Sequence, residues 1–167
     1  MPQVWPLVGA KLSQTHSIRV PCPPEHAFLP IVRVGGEIGW YGCDFLWRLR
    51  GLLDRATGGP GFSPLRRDPA RLAVGEQVDC WRVESFEEGR RLTMVFGMPM
   101  PGRGYLEFGV SGGQGRSVVT LTAIFEPRGL VGVASWYSLS LVHVWMFRRM
   151  LRGMAKAAMR EWKAGSG

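Results

Sequence analysis

The chain has 167 residues, which is the length of one compact domain. Hydrophobic residues make up 46% and charged residues 20%, so the composition excludes a disordered chain and a fibrous repeat. A formal net charge of +8 suits an acidic partner, which would be nucleic acid, anionic lipid or an acidic protein. The three cysteines have no close pair, so they indicate neither a disulfide framework nor a zinc site, and they favour the cytoplasm.

The first third of the chain predicts one strand followed by two helices. Residues 1–14 contain turn formers without a sustained period, so we expect a loose N-terminal arm. A strand is predicted over residues 15–20, where it ends at a cluster of prolines. Helices are predicted from about Glu25 to Val34, before a Gly-Gly pair, and from about Asp44 to Ala56, with Asp44 as the N-cap.

The rest of the chain predicts an antiparallel sheet and a long final helix. The hydrophobic period is two in four segments, at residues 78–86, 91–98, 105–111 and 118–126. Short turns between them indicate a meander, and a helical pattern follows Gly129. This order is typical of the α+β helix-grip fold, in which a curved antiparallel sheet wraps around the C-terminal helix. We therefore predict a single helix-grip domain over residues 15–163 and a flexible tail over residues 164–167.

Several motifs resemble those of a bacterial family of unknown function. They are GGEIGWY at 35–41, LWRLRGLLDR at 46–55, RRDP at 66–69, VDCWRVE at 78–84, LEF at 106–108, PRGL at 127–130, and WY at 136–137 followed by His143. That family is related to the START-like, polyketide-cyclase-like (SRPBCC) helix-grip superfamily. Its members often carry this domain C-terminal to an NAD(P)-binding, reductase-like domain. The resemblance covers about residues 25–154, although the family usually has Pro and an aromatic residue where this chain has Leu141 and Val142.

The resemblance implies a cavity between sheet and helix that holds a small hydrophobic molecule, such as a lipid, a quinone or a polyketide. It also implies a separate reductase-like protein as a partner, because no GxGxxG motif follows a predicted strand in this chain. Aromatic side chains combine a large apolar area with a polar tip, so they are candidates to line such a cavity. The candidate ligand-binding residues are Trp40, Tyr41, Trp47, Trp81, Trp136, Tyr137 and His143. Ordinary packing of these aromatic residues is the alternative interpretation.

The alternative function is an enzyme of the cyclase, dehydratase or isomerase type, with Asp79 and His143 as the catalytic candidates. Asp79 has the same strand parity as Trp81, so its carboxylate is predicted to face the apolar side and to need a partner. Arg50 or His143 would supply that partner, in a pair that is either structural or an acid–base site. The sequence contains no nucleophile motif and no metal-ligand spacing, so neither a metal nor a cofactor is predicted.

A basic stripe is predicted on the outer side of the C-terminal helix. It consists of Arg148, Arg152, Lys156 and Arg160, which recur every four residues. This stripe predicts a contact with an anionic membrane or an acidic protein, unless it is simply a solvated face. The uncharged run at residues 129–147 is near the length of a membrane span, but a helix packed on a sheet would have the same composition. Nucleic-acid binding ranks last, and we expect a cytoplasmic protein with the inner membrane face as a candidate contact.

Overall fold

A computed structural model describes residues 11–36, 38–56, 71–113 and 115–165 of the chain. The elements are β1 (Leu12–Val20), α1 (Pro24–Val32), α2 (Asp44–Ala56), β2 (Gln77–Val78), β3 (Trp81–Glu87), β4 (Arg91–Phe96), β5 (Gly102–Gly113), β6 (Arg116–Pro127) and α3 (Gly129–Gly165). The strands form one six-stranded sheet in the order β1-β6-β5-β4-β3-β2, and all neighbours are antiparallel. The predicted α+β helix-grip architecture is confirmed.

The long helix α3 packs against the inner face of the sheet. Its 37 residues give it a length of about 55 Å. Methionines four residues apart, which share one side of a helix, are buried against the sheet at Met146, Met150 and Met154. Burial is uneven along the helix: apart from Gly132, every fully buried residue of α3 lies between Met146 and Ala158.

Several boundaries differ from the prediction, and two of these differences have identifiable reasons. β1 begins at Leu12 rather than Thr15, because residues 12–20 alternate between the inner and the outer face and residues 12–14 pair with β6. The strand predicted over residues 78–86 is two strands, since Asp79 adopts a left-handed backbone conformation with φ 54° and turns the chain between β2 and β3. The helix α3 includes residues 164 and 165 of the predicted tail.

Candidate ligand site between β1 and α3

A row of aromatic side chains crosses the inner face of the sheet. The rings of Trp81 on β3 and Phe96 on β4 have centroids 5.0 Å apart. The next position in the row is Gly104 on β5, at which an added Cβ would lie 3.6 Å from Cβ of Phe96. Gly104 in turn pairs with Phe125 on β6. Trp136 of α3 stacks on Phe125, with centroids 5.7 Å apart and ring planes within 4°. The first half of α3 is therefore attached to the sheet through aromatic stacking.

Polar side chains lie beside this row, on the inner side of β1 and α3. Gln14 and His16 are two residues apart on β1 and point inwards, because the strand alternates and its odd-numbered residues from 13 to 19 are exposed. His143 of α3 lies beside Trp136, with ring centroids 5.7 Å apart. The ring of Phe147 adjoins both imidazoles, with its centroid 6.1 Å from that of His16 and 5.5 Å from that of His143. We call Gln14, His16 and His143 the interior polar cluster.

Each member of the interior polar cluster has one buried polar atom without a hydrogen-bond partner among the described residues. These atoms are Oε1 of Gln14, Nε2 of His16 and Nδ1 of His143. Leaving a buried polar atom unpaired costs about 1–3 kcal/mol, and such atoms are rare in folded proteins. Three of them on the facing surfaces of one strand and one helix therefore mark a place where a bound molecule would supply the missing hydrogen bonds.

The neutral form of both histidines is favoured in the interior polar cluster. Burial lowers the pKa of His143. Burial also lowers the pKa of His16, and the positive charge of Arg148 lowers that pKa further. A neutral imidazole has one nitrogen that donates and one that accepts, and the Gln14 amide also does both. The cluster is thus suited to a carbonyl or hydroxyl group and offers no counter-charge to an ionic ligand.

The other predicted ligand residues have different surroundings. Trp40 is fully buried and its Nε1 donates to Oδ2 of Asp79 over 2.7 Å, while the Tyr41 hydroxyl donates to the backbone carbonyl of Pro30 over 2.7 Å. These contacts anchor the loop that precedes α2. Tyr137 is 55% exposed. The Trp47 side chain lies outside the described part of the structure. Of the seven candidates, His143 belongs to the interior polar cluster, Trp136 adjoins His143, and Trp81 lies at the far end of the aromatic row.

Asp79 is buried, as predicted, and its described hydrogen bonds are with Gly36 and Trp40. Its Oδ1 accepts from the backbone N of Gly36 over 3.3 Å, and its Oδ2 accepts from Trp40. No hydrogen bond or ion pair joins it to His143 in the described structure, and the side chain of Arg50 lies outside that part. Asp79 was predicted to lie on a strand, but it occupies the β2–β3 turn. Its carboxylate joins this turn to the loop that contains Trp40.

The basic stripe is exposed along its whole length. Arg148, Arg152, Lys156 and Arg160 make no ion pair with any residue that the structure describes. The single carboxylate of α3, that of Glu161, is bound by Arg33 instead. No three His, Cys, Asp or Glu side chains in the described ranges are close enough to hold a metal ion.

Gln14 and His16 are not among the predicted site residues, because the predicted arm includes Gln14 and His16 lies on the short predicted strand with no motif around it. The alternation from Leu12 to Val20 is the signal that would have placed both side chains on the inner face.

Comparison with known proteins agrees with this architecture. A family model described as Protein of unknown function (DUF2867) matches residues 7–150, so the chain belongs to that family. Among solved structures, the Zhui aromatase/cyclase from Streptomyces sp. R1128 has 16% identity and a TM-score of 0.55, with 95% of this chain and 99% of that chain covered. XoxI from Bacillus cereus has 16% identity and a TM-score of 0.52, with 88% and 95% covered. No protein with a curated description matches the sequence.

Proposed function

We propose that this member of the DUF2867 family binds a small, largely apolar molecule that carries a carbonyl or hydroxyl group, between β1 and α3. The observation that carries the proposal is the interior polar cluster, in which three buried polar atoms lack partners beside an aromatic surface. Stacked aromatic rings favour flat or ring-containing molecules. The cluster would orient such a molecule by its oxygen, while Trp136 and Phe147 contact its apolar part.

The chemistry of the site favours an uncharged ligand over an ionic one. Both imidazoles are held neutral by burial, so an anionic group would find no buried counter-charge beside them. Quinones and polyketides combine rings with uncharged oxygens, and they fit the site better than a fatty acid with its carboxylate. One solved protein of the same fold is an aromatase/cyclase, which makes ring-containing molecules the first class to test.

Catalysis of the cyclase, dehydratase or isomerase type is the second candidate function. Two neutral imidazoles, each with a free nitrogen, could hold and move protons on a bound molecule. The cluster supports this role with His16 and His143 as the pair, since Asp79 is occupied by Trp40 and Gly36. Turnover assays on any molecule that the protein retains would separate this function from binding alone.

Binding is tested with two probes of nearly equal shape, 2-naphthol and 2-methylnaphthalene, titrated into the labelled protein and followed by amide NMR shifts. We expect saturable shifts around Trp136 and His143, with 2-naphthol bound more tightly by about fivefold to tenfold, the value of one hydrogen bond. Native mass spectrometry of the purified protein would reveal a ligand that is already bound.

His143→Phe should remove most of the preference for 2-naphthol, because the phenyl ring keeps the apolar contacts of the imidazole but has no nitrogen to form a hydrogen bond. The matched control is Tyr137→Phe, which removes a polar group from an exposed ring on the same helix and should leave the preference unchanged. Absence of saturable binding by both probes to the folded protein, or an undiminished preference in His143→Phe, would contradict the proposal.

A further inference from the structure

Along its length, the outward face of α3 is apolar in the N-terminal half and basic in the C-terminal half. We propose that this face lies flat on an anionic membrane surface, with the apolar half in the lipid interface and the basic half on the headgroups. The inference is independent of the proposed ligand site, which faces the opposite side of the helix.

Large apolar side chains of the first four turns of α3 project into solvent. Leu130, Tyr137, Leu141 and Trp145 are separated by seven, four and four residues, so they share one side of the helix. Leu141 is 80% exposed. The most apolar 18-residue window of α3 is long and apolar enough to cross a membrane, yet only 17% of it is buried. An apolar surface of this kind on a folded domain marks an interaction site.

The helix α2 widens the apolar surface. Phe45 meets Trp145 edge to face, with ring centroids 5.9 Å apart. Leu49 and Leu52 are also exposed, and they follow Phe45 at helical spacing on one side of α2. Arg48 is exposed three residues after Phe45, beside this row of apolar residues. The apolar residues of the two helices therefore form one continuous patch with an arginine at its edge.

The basic half continues the same side of α3 towards its C-terminus. Arg148 follows Leu141 by seven residues, and Arg152 follows Trp145 by the same interval. Lys156 and Arg160 extend the row, and none of these four cations is neutralised by a described carboxylate. Each unpaired cation near an anionic bilayer adds about 1 kcal/mol of attraction in general, so the row would act collectively.

Lipid is favoured over a protein partner by the chemistry of the whole face. Exposed leucines, an interfacial Trp and Tyr, and a row of cations without carboxylates are the features of a helix that lies in a membrane interface. The helix lies in the plane rather than across it, because its other side is held to the sheet through Trp136 and Met146. The apolar half, residues 130–145, is about 24 Å long, which allows several side chains to enter the interface together.

The docking is tested by placing an environment-sensitive fluorophore at Leu141→Cys and, as a control, at Val74→Cys. Both positions are exposed, and the three native cysteines are buried, so labelling is selective. Vesicles of phosphatidylcholine with about one third phosphatidylglycerol should shift the emission at position 141 to the blue and leave position 74 unchanged. Pure phosphatidylcholine vesicles should give a much weaker response, and added salt should reduce the response to the anionic vesicles.

Two sets of variants distinguish vesicle binding through this face from attraction by the overall positive charge of the protein. Replacing Arg148, Arg152, Lys156 and Arg160 by Gln should weaken vesicle binding by about tenfold or more. Replacing the exposed Arg82, Arg90, Arg91 and Arg116 by Gln removes the same charge from the strands and turns of the sheet and should have a far smaller effect. If the protein stays in the supernatant with anionic vesicles at low salt, or if both quadruple variants lose binding equally, the membrane proposal is wrong and a protein partner takes its place.

Discussion

Replacement of Asp79 tests the structural role that its contacts indicate. Asp79→Ala removes a buried acceptor for Trp40 and for the Gly36 backbone, and each hydrogen bond to a charged group is worth about 1.5–3 kcal/mol. It also places alanine at φ 54°, a conformation that costs about 1–2 kcal/mol without glycine, Asn or Asp. We expect a loss of about 3–5 kcal/mol in the free energy of unfolding, since the effects of neighbouring groups are not additive.

Asp79→Asn separates the backbone effect from the loss of charge. Asn tolerates the left-handed conformation and keeps one oxygen for Trp40, so we expect a loss of about 1–2 kcal/mol. Trp40→Phe removes the indole donor from the other side. A double-mutant cycle between Asp79→Ala and Trp40→Phe should give a coupling energy of about 1.5–3 kcal/mol.

The measurement is urea unfolding at pH 7, supported by thermal melting, in which about 1 kcal/mol shifts the midpoint by about 2–4 °C in a domain of this length. Probe binding by Asp79→Asn should match the wild type, because the carboxylate lies outside the interior polar cluster. A loss below about 1 kcal/mol for Asp79→Ala, or a coupling energy below about 0.5 kcal/mol, would refute the reasoning.

Two further predictions concern pH and packing. The pKa values of His16 and His143 are lowered in the folded state, so their contribution to stability is present above about pH 6.5, the unfolded value, and is lost as the pH falls through the folded values. His143→Phe should therefore flatten the loss of stability between pH 7 and pH 5, measured by urea midpoints, and an unchanged slope would contradict this cause. An added Cβ at Gly153 would lie 2.7 Å from Cβ of Tyr41, so Gly153→Ala should destabilise by about 1–3 kcal/mol despite its better helix propensity. Gly165→Ala, which meets no atom within 4 Å, is the control and should be nearly neutral in the same unfolding assay.

Much of the fold could be predicted because its signals are local. The period-two alternation and short turns of β3 to β6 specify a meander without knowledge of distant residues. The burial of Met146, Met150 and Met154 follows from helical spacing alone. The break between β2 and β3 was not predictable in this way, because the hydrophobic pattern runs through Asp79 and the backbone conformation of that residue depends on its tertiary contacts.

The candidate site required contacts that no local pattern contains. The GGEIGWY and VDCWRVE motifs meet through Trp40 and Asp79, which are 39 residues apart. Likewise, His16 and His143 both adjoin the Phe147 ring only because β1 pairs with β6 and α3 packs on these strands. The sequence shows which polar residues are present. Whether their polar atoms find hydrogen-bond partners depends on the register of the sheet and the position of the helix.

The uneven burial of α3 has a consequence for its motions. Beyond Met146 the helix is fixed by a continuous series of buried side chains, and Arg149 and Cys43 tie it to the loop before α2 through the Gly42 and Met146 carbonyls. The turns before Met146 rely mainly on the stacking of Trp136. Local opening should therefore be much easier in these turns, and their backbone amides should exchange with deuterium well before those of residues 146–158. The C-terminal half of the helix would then stay fixed, while opening of the N-terminal half would expose the part of β6 on which Trp136 stacks.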